Sequence, residues 1–220
     1  VDAEAAAFYQ ARADLLTPIA KAWCTEAALE TTSHGIQIHG GMGYVEETGS
    51  AQFYRDARIA PIYEGTNAIQ AIDLVGRKLL RDGGATVSAF VSDMREVDAP
   101  LANAGDDMAA VRSALARGLD DLVQCSTSIL TGEKRDPGLV GAVAFDYMML
   151  IGTVIGGWQL ARGALVALEQ LAAGGDKAFC EMQVVMARFY AEHVLPRTSG
   201  YAASVRAGSR STMALSAEAF

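Results

Sequence analysis

The sequence predicts an all-α protein built as an antiparallel helix bundle. Beyond Gly84 the chain reads as long helical runs separated by short breaks at Pro100, Gly132 to Gly138, Gly174-Gly175 and Pro196. No useful length of it alternates apolar and polar residues as a half-buried strand would. The 220 residues are 51% hydrophobic and 20% charged, which is globular rather than disordered and leaves room for one large or two small domains.

Each element has a local reason. Ala3 to Asp14 is Ala-rich and helical, and Thr17-Pro18 reads as a fresh start, with Thr17 as N-cap and Pro18 at the first helical position. Ile19, Ala22, Trp23, Leu29 and Ile36 continue the apolar stripe to a stop at Gly40-Gly41. A short helix covers about Ser50 to Arg58, and Ile59 to Tyr63, with Pro61 inside it, reads as extended. Thr66 or Asn67 then caps a helix running to about Arg81, backed by Ile69, Ile72, Val75 and Leu79. Asp82-Gly83-Gly84 is the clearest boundary in the chain and divides it into domains at 1–84 and 85–220.

The second domain is read as helices at about Thr86 to Val97, Asp106 to Thr131, Pro137 to Ala173 and Asp176 to Leu195. Asp136-Pro137 is a good helix start, and the stretch from Arg197 reads as a surface tail. The apolar run from Tyr147 to Trp158 falls short of the roughly 20 residues of a membrane span. Asp146 and Arg162 bracket it, and Gly152, Gly156 and Gly157 suit close helix contact, so it is read as a buried bundle helix.

Charge and cysteine content narrow the function. A net charge of −8 argues against nucleic acid, whose backbone selects for Lys and Arg. Cys24, Cys125 and Cys180, three and widely spaced, give neither a disulfide framework nor a zinc pattern and read as reduced core thiols of a cytoplasmic protein. Val1-Asp2-Ala3-Glu4 carries no signal-like block and reads as a start inside a longer protein. No His/Cys/carboxylate cluster suggests a metal, and no Ser/His/Asp set suggests acyl hydrolysis. His34 and His193 read as packing or surface residues.

The chemistry is concentrated between Gln37 and Gln70. Gly40, Gly41 and Gly43 let the backbone turn sharply and approach a flat or anionic ligand. Glu64 stands just before Gly65, where a loop enters a helix whose free N–H groups suit an anion or a carbonyl oxygen. From pattern alone Glu64 reads either as a solvated loop carboxylate or as a functional one.

Three motifs occur here in order: Gln-Ile-His-Gly-Gly-Met-Gly-Tyr from Gln37, Phe-Tyr-Arg-Asp-Ala-Arg-Ile from Phe53, and Ile-Tyr-Glu-Gly-Thr-Asn from Ile62. Together they resemble the flavin-dependent acyl-CoA dehydrogenases, in the carboxy-terminal helical domain that follows their β-domain, over about Leu15 to Gly84. The resemblance implies that Glu64 is the base that removes the α-proton of an acyl-CoA thioester while flavin N5 takes a hydride from the β-carbon. Burial that raises the carboxyl pKa suits such a base. The enolate oxygen is then held by the Glu64 backbone N–H and a flavin ribityl hydroxyl. Gly65 carries over as a substrate contact, and Thr66, Asn67 and Ala68 as flavin contacts. Gln37, Ile38, His39, Gly40 and Gly41 match the loop that reaches the adenosine and pyrophosphate of FAD across a subunit interface, with no catalytic role for His39. Arg55, Asp56 and Arg58 are expected to form local ion pairs that hold the two loops in register.

The later helices resemble the extra carboxy-terminal domain of longer members, which act on long-chain or methylthio-propanoyl thioesters, and imply dimer packing rather than chemistry. The family's amino-terminal helical domain, its β-domain and the first part of its carboxy-terminal domain have no counterpart in these residues. The implied cofactor is FAD and the implied partners are acyl-CoA, an electron-transfer flavoprotein and a second copy in a homodimer. An acyl-CoA oxidase of the same fold, or a non-catalytic helical interaction fragment, are the alternatives.

Overall fold

A computed structural model describes residues 2–219; Val1, and with it the reading of the chain's start, lies outside them. Among the described residues there are helices and turns and no strand, so the all-α prediction holds. The first part comprises α1 (Ala3–Ile38), α2 (Gly41–Tyr44), α3 (Ser50–Ile59) and α4 (Asn67–Asp73), which runs on as a π-turn over Leu74–Leu79. The second comprises α5 (Ala85–Arg95), α6 (Asp98–Ala102), α7 (Ala109–Gly132), α8 (Leu139–Ala172), α9 (Lys177–Phe189) and α10 (Arg197–Ala207), with α9 extended by a π-turn at Tyr190–Val194.

One helix replaces the two expected around Thr17-Pro18. Thr17 caps nothing; its hydroxyl donates to the Ala13 carbonyl at 2.8 Å, inside the helix. A proline in a helix interior costs about 3 kcal/mol. Leu15, Ile19 and Ala22, buried on both sides of Pro18, anchor both halves to the core and outweigh it. Ile59 to Tyr63 is likewise turned rather than extended. The Ile62 and Tyr63 N–H groups both donate to the Ile59 carbonyl, at 3.0 and 3.1 Å, and Pro61's fixed φ fits a turn as well as a strand.

In the second part Pro100 lies within α6 rather than marking a gap, near a helix start where its missing N–H costs little. The expected helix at Asp106 opens as a 3-10 turn and becomes α7 at Ala109. Asp136 accepts from the Gly138 N–H at 3.1 Å, and α8 begins one residue later. Asp176 caps α9 by accepting from the Phe179 N–H at 3.1 Å. Residues from Arg197 form α10, not a surface tail. Thr198, Ala202 and Val205 are buried against α7 and α8, because small side chains that resemble a loop composition also permit close helix contact. Cys125 and Cys180 are buried, but Cys24 is exposed on α1, so only two thiols are core residues.

Everything is organised on α8. It is long and apolar enough to cross a membrane, with a mean hydropathy of 1.8 over its most apolar window, yet 56% of that window is buried by α1, α4, α7, α9 and α10. The buried side chains form one continuous core from Leu15 and Ile19, through Leu74 and Leu79, to Phe90, Leu122, Met148 and Ile151. Trp23 of α1 is the main plug between the two parts. It fills a notch over Gly152, where an added Cβ would lie 2.4 Å from its ring, and donates its indole N–H to the Thr153 hydroxyl at 3.2 Å. Glu30 on α1 accepts two hydrogen bonds from Arg197 on α10, each 2.7 Å.

Candidate active site

Glu64 is held in the left-handed region, φ 53°, and is the one non-glycine residue with positive φ among the described residues. That conformation costs an ordinary side chain about 1–2 kcal/mol, and such residues concentrate at functional sites. The loop around it is fixed from beneath. Lys21 of α1 donates to the Gly65 carbonyl at 2.7 Å and to Asn67 Oδ1 at 2.9 Å. Asn67 is 4% exposed, and its amide donates to the Ala22 carbonyl (3.2 Å), the Thr25 hydroxyl (2.9 Å) and Glu26 (2.8 Å). Its backbone N–H closes the loop on the Pro61 carbonyl at 3.0 Å. Thr66 is the N-cap, accepting from the Ile69 N–H at 3.3 Å.

The anchors leave Glu64, Gly65, Thr66 and Ala68 exposed on one side, while the Asn67 side chain faces α1. Lys21, Thr25, Glu26 and Gln70, whose amide lies under Gly65, are the supporting residues that sequence reasoning did not single out. Lys21 and Thr25 stand one helical turn apart on α1, which is the only sequence signal for them.

The second loop is the end of α1. Gln37, Ile38, His39, Gly40 and Gly41 are all exposed. Gly40 turns the chain at φ 60°, and nothing lies within 4 Å of a Cβ placed on Gly40 or Gly41, so a ligand can approach this backbone. Gly43 is different: it is buried, and a Cβ there would strike the Ile36 carbonyl at 2.3 Å. His39 Nδ1 lies 2.8 Å from the Gly35 carbonyl, so it carries the proton and donates it there. Thr48 donates to the Met42 carbonyl at 2.6 Å, and Arg55 pairs with Glu46 at 2.7 Å, tying the 3-10 turn at Glu46–Thr48 to α3. Asp56 and Arg58, expected in ion pairs, point outward, and no ion pair among the described residues includes them.

The two loops do not meet within the chain. Asn67 docks at Ala22 to Glu26, and Gln37 begins about 16 Å further along α1 at 1.5 Å per residue. Two deeper grooves, of about 950 Å³ beside Trp158 and about 580 Å³ beside Trp23, are lined by neither loop. What the loops share is exposed apolar surface: Ile38 is 83% and Tyr44 80% exposed, and Phe53, Ile62 and Tyr63 are exposed with them. Open glycine backbone, flanking apolar side chains and a capped loop fit a long, flat, partly anionic ligand such as FAD, touched at two separate points.

The comparisons agree with this arrangement. Residues 85–216 match the family described as acetyl-CoA dehydrogenase C-terminal like, and residues 3–80 match the acyl-CoA dehydrogenase, C-terminal domain. The chain is 45% identical over 203 residues to the 3-methylmercaptopropionyl-CoA dehydrogenase of Ruegeria pomeroyi, a match covering 89% of this chain and 33% of that protein. It is 34% identical over 194 residues to a broad-specificity linear acyl-CoA dehydrogenase of Mycobacterium tuberculosis, covering 83% of this chain and 31% of that protein. A short-chain specific mitochondrial acyl-CoA dehydrogenase of Sus scrofa is 51% identical over 61 residues, 28% of this chain and 15% of that protein. The chain thus spans about a third of the length of the first two relatives. It belongs to the acyl-CoA dehydrogenase family, as the carboxy-terminal helical portion of an extended member.

Proposed function

We propose that this chain supplies the catalytic base and two flavin-facing loops of an enzyme that dehydrogenates an acyl-CoA thioester between its α- and β-carbons. The observation that carries the reading is Glu64: a carboxylate kept in a strained conformation by four anchoring residues, at the junction of loop and helix. Strain held so firmly is preorganisation, which fixes the base before substrate arrives. Glu64 takes the α-proton, and its own backbone N–H, with Gly65 beside it, faces the thioester oxygen on which charge develops. FAD, when bound, supplies the acceptor for the β-hydrogen and its electron pair. Thr66 and Ala68 line its ribityl side, while Gln37 to Gly41 reach the phosphate and adenosine end of a neighbour's cofactor in a homodimer. The 16 Å or so between the loops along α1 supports their serving different flavins.

The relatives' names support a thioester substrate, and electrons pass onward to an electron-transfer flavoprotein. The test is Glu64→Gln in the full-length protein, mixed rapidly with acyl-CoA. Flavin binding is retained, and bleaching slows by roughly 10²–10⁴, the contribution of a positioned general base. Bleaching at the parent rate refutes the assignment.

A further inference from the structure

The outward face of α9 is apolar along its length. Cys180, Val184 and Ala187 turn inward, while Phe179, Met182, Val185, Met186 and Phe189 are 44–61% exposed on the opposite side. Their spacing makes a single stripe about 15 Å long at 1.5 Å per residue. Polar residues are normal on a solvent-facing helix surface, and a stripe of five large apolar side chains marks a surface that something covers.

The charges beside the stripe indicate what. Lys177, Glu181, Arg188 and Glu192 share one flank of the helix, in the order plus, minus, plus, minus. We infer that α9 pairs antiparallel with α9 of a second copy of this chain, about a two-fold axis at the level of Val184 and Val185. Such an axis lays the two charged flanks side by side. It sets Lys177 beside the partner's Glu192, and Glu181 beside the partner's Arg188, so every charge meets its opposite. A parallel pair would leave both charged flanks on opposite sides of the contact. Within one copy Lys177 reaches Glu181 at 3.7 Å and Arg188 reaches Asp107 at 3.0 Å, exposed pairs that are weak enough to exchange partners. Five such side chains, each about half exposed, offer roughly 500 Å² per copy, and two copies reach the roughly 1,000 Å² of a specific interface.

The inference rests on α9 and not on the catalytic reading, so its test reads pairing rather than turnover. In the full-length protein with Cys24→Ser, Val185→Cys places a thiol beside its own copy at the axis. Ser113→Cys, exposed on α7, is the control. Under mild oxidant at micromolar protein the Val185→Cys dimer forms about 10²-fold faster than the control, as a millimolar effective concentration requires. Adding Glu181→Arg slows that linkage, and adding Arg188→Glu to the same chain restores it. Linkage no faster than the control, or a double reversal that fails to restore it, overturns the inference. So does co-sedimentation with phosphatidylcholine vesicles without linkage, which would make the stripe a membrane-facing surface.

Discussion

Glu64 and Asn67 divide the work of one loop. Asn67 commits all its side-chain polar atoms to α1 and Lys21, and this leaves Glu64 projecting from a backbone that a glycine would occupy more easily. The cost is testable as stability. Glu64→Gly should raise the unfolding free energy by roughly 0.5–1 kcal/mol, the left-handed strain relieved less the entropy glycine adds to the unfolded chain. A higher urea midpoint at unchanged slope would show this. A lower midpoint would mean that the carboxylate makes a stabilising contact of its own. At this scale the sequence was informative where chemistry is local: Thr66 as N-cap and the glycine turn at Gly40 followed from residue type alone. The Asn67 anchors were not legible, because Lys21, Thr25 and Glu26 lie more than forty residues earlier and only the packing of α4 on α1 brings them together.

Among the elements, α1 carries most of the consequences. It supports the Glu64 loop at its middle, presents the Gln37 loop at its end, and plugs Trp23 into α8 between the two. Its misreading as two helices came from taking Pro18 as a start signal, when burial on either side of it decided the matter. The error at α10 has the same origin: Ser, Gly and Ala suit a tail, but a tail has no buried face, and Thr198, Ala202 and Val205 form one. The Trp23 plug gives an element-scale prediction. Gly152→Ala puts a methyl group into the indole and should destabilise the chain by about 1–3 kcal/mol, the usual cost of overpacking. Gly141→Ala, in open space on the same helix, should be neutral or slightly stabilising. Thermal unfolding of the two variants side by side separates the outcomes; equal midpoints would mean that Trp23 does not seat as described.

At the scale of the whole molecule, a single core joins the helices that present the loops to the helices that follow. The bundle class was legible because long helical runs need no distant partner to be recognised. The position of the loops on the finished surface was not, since it depends on the docking of α1 against α8. Both loops open onto exposed apolar side chains, so a bound isoalloxazine would remain largely in water on this chain alone. The isolated 220 residues should therefore be a helical protein with weak flavin affinity. Calorimetric titration with FAD checks this: stoichiometric sub-micromolar binding would show that these two loops suffice for the cofactor.

The central claim is that Glu64 moves the α-proton, and proton movement can be read apart from electron transfer. An acyl-CoA analogue with sulfur in place of the β-carbon has no β-hydrogen to give, so only the α-carbon chemistry remains. Incubated in deuterium oxide with the full-length flavoprotein, its α-hydrogens should exchange with solvent. Glu64→Gln should slow that exchange by roughly 10²–10⁴ while the flavin stays bound. Exchange at the parent rate in Glu64→Gln would contradict the account, because another group would then be removing the proton.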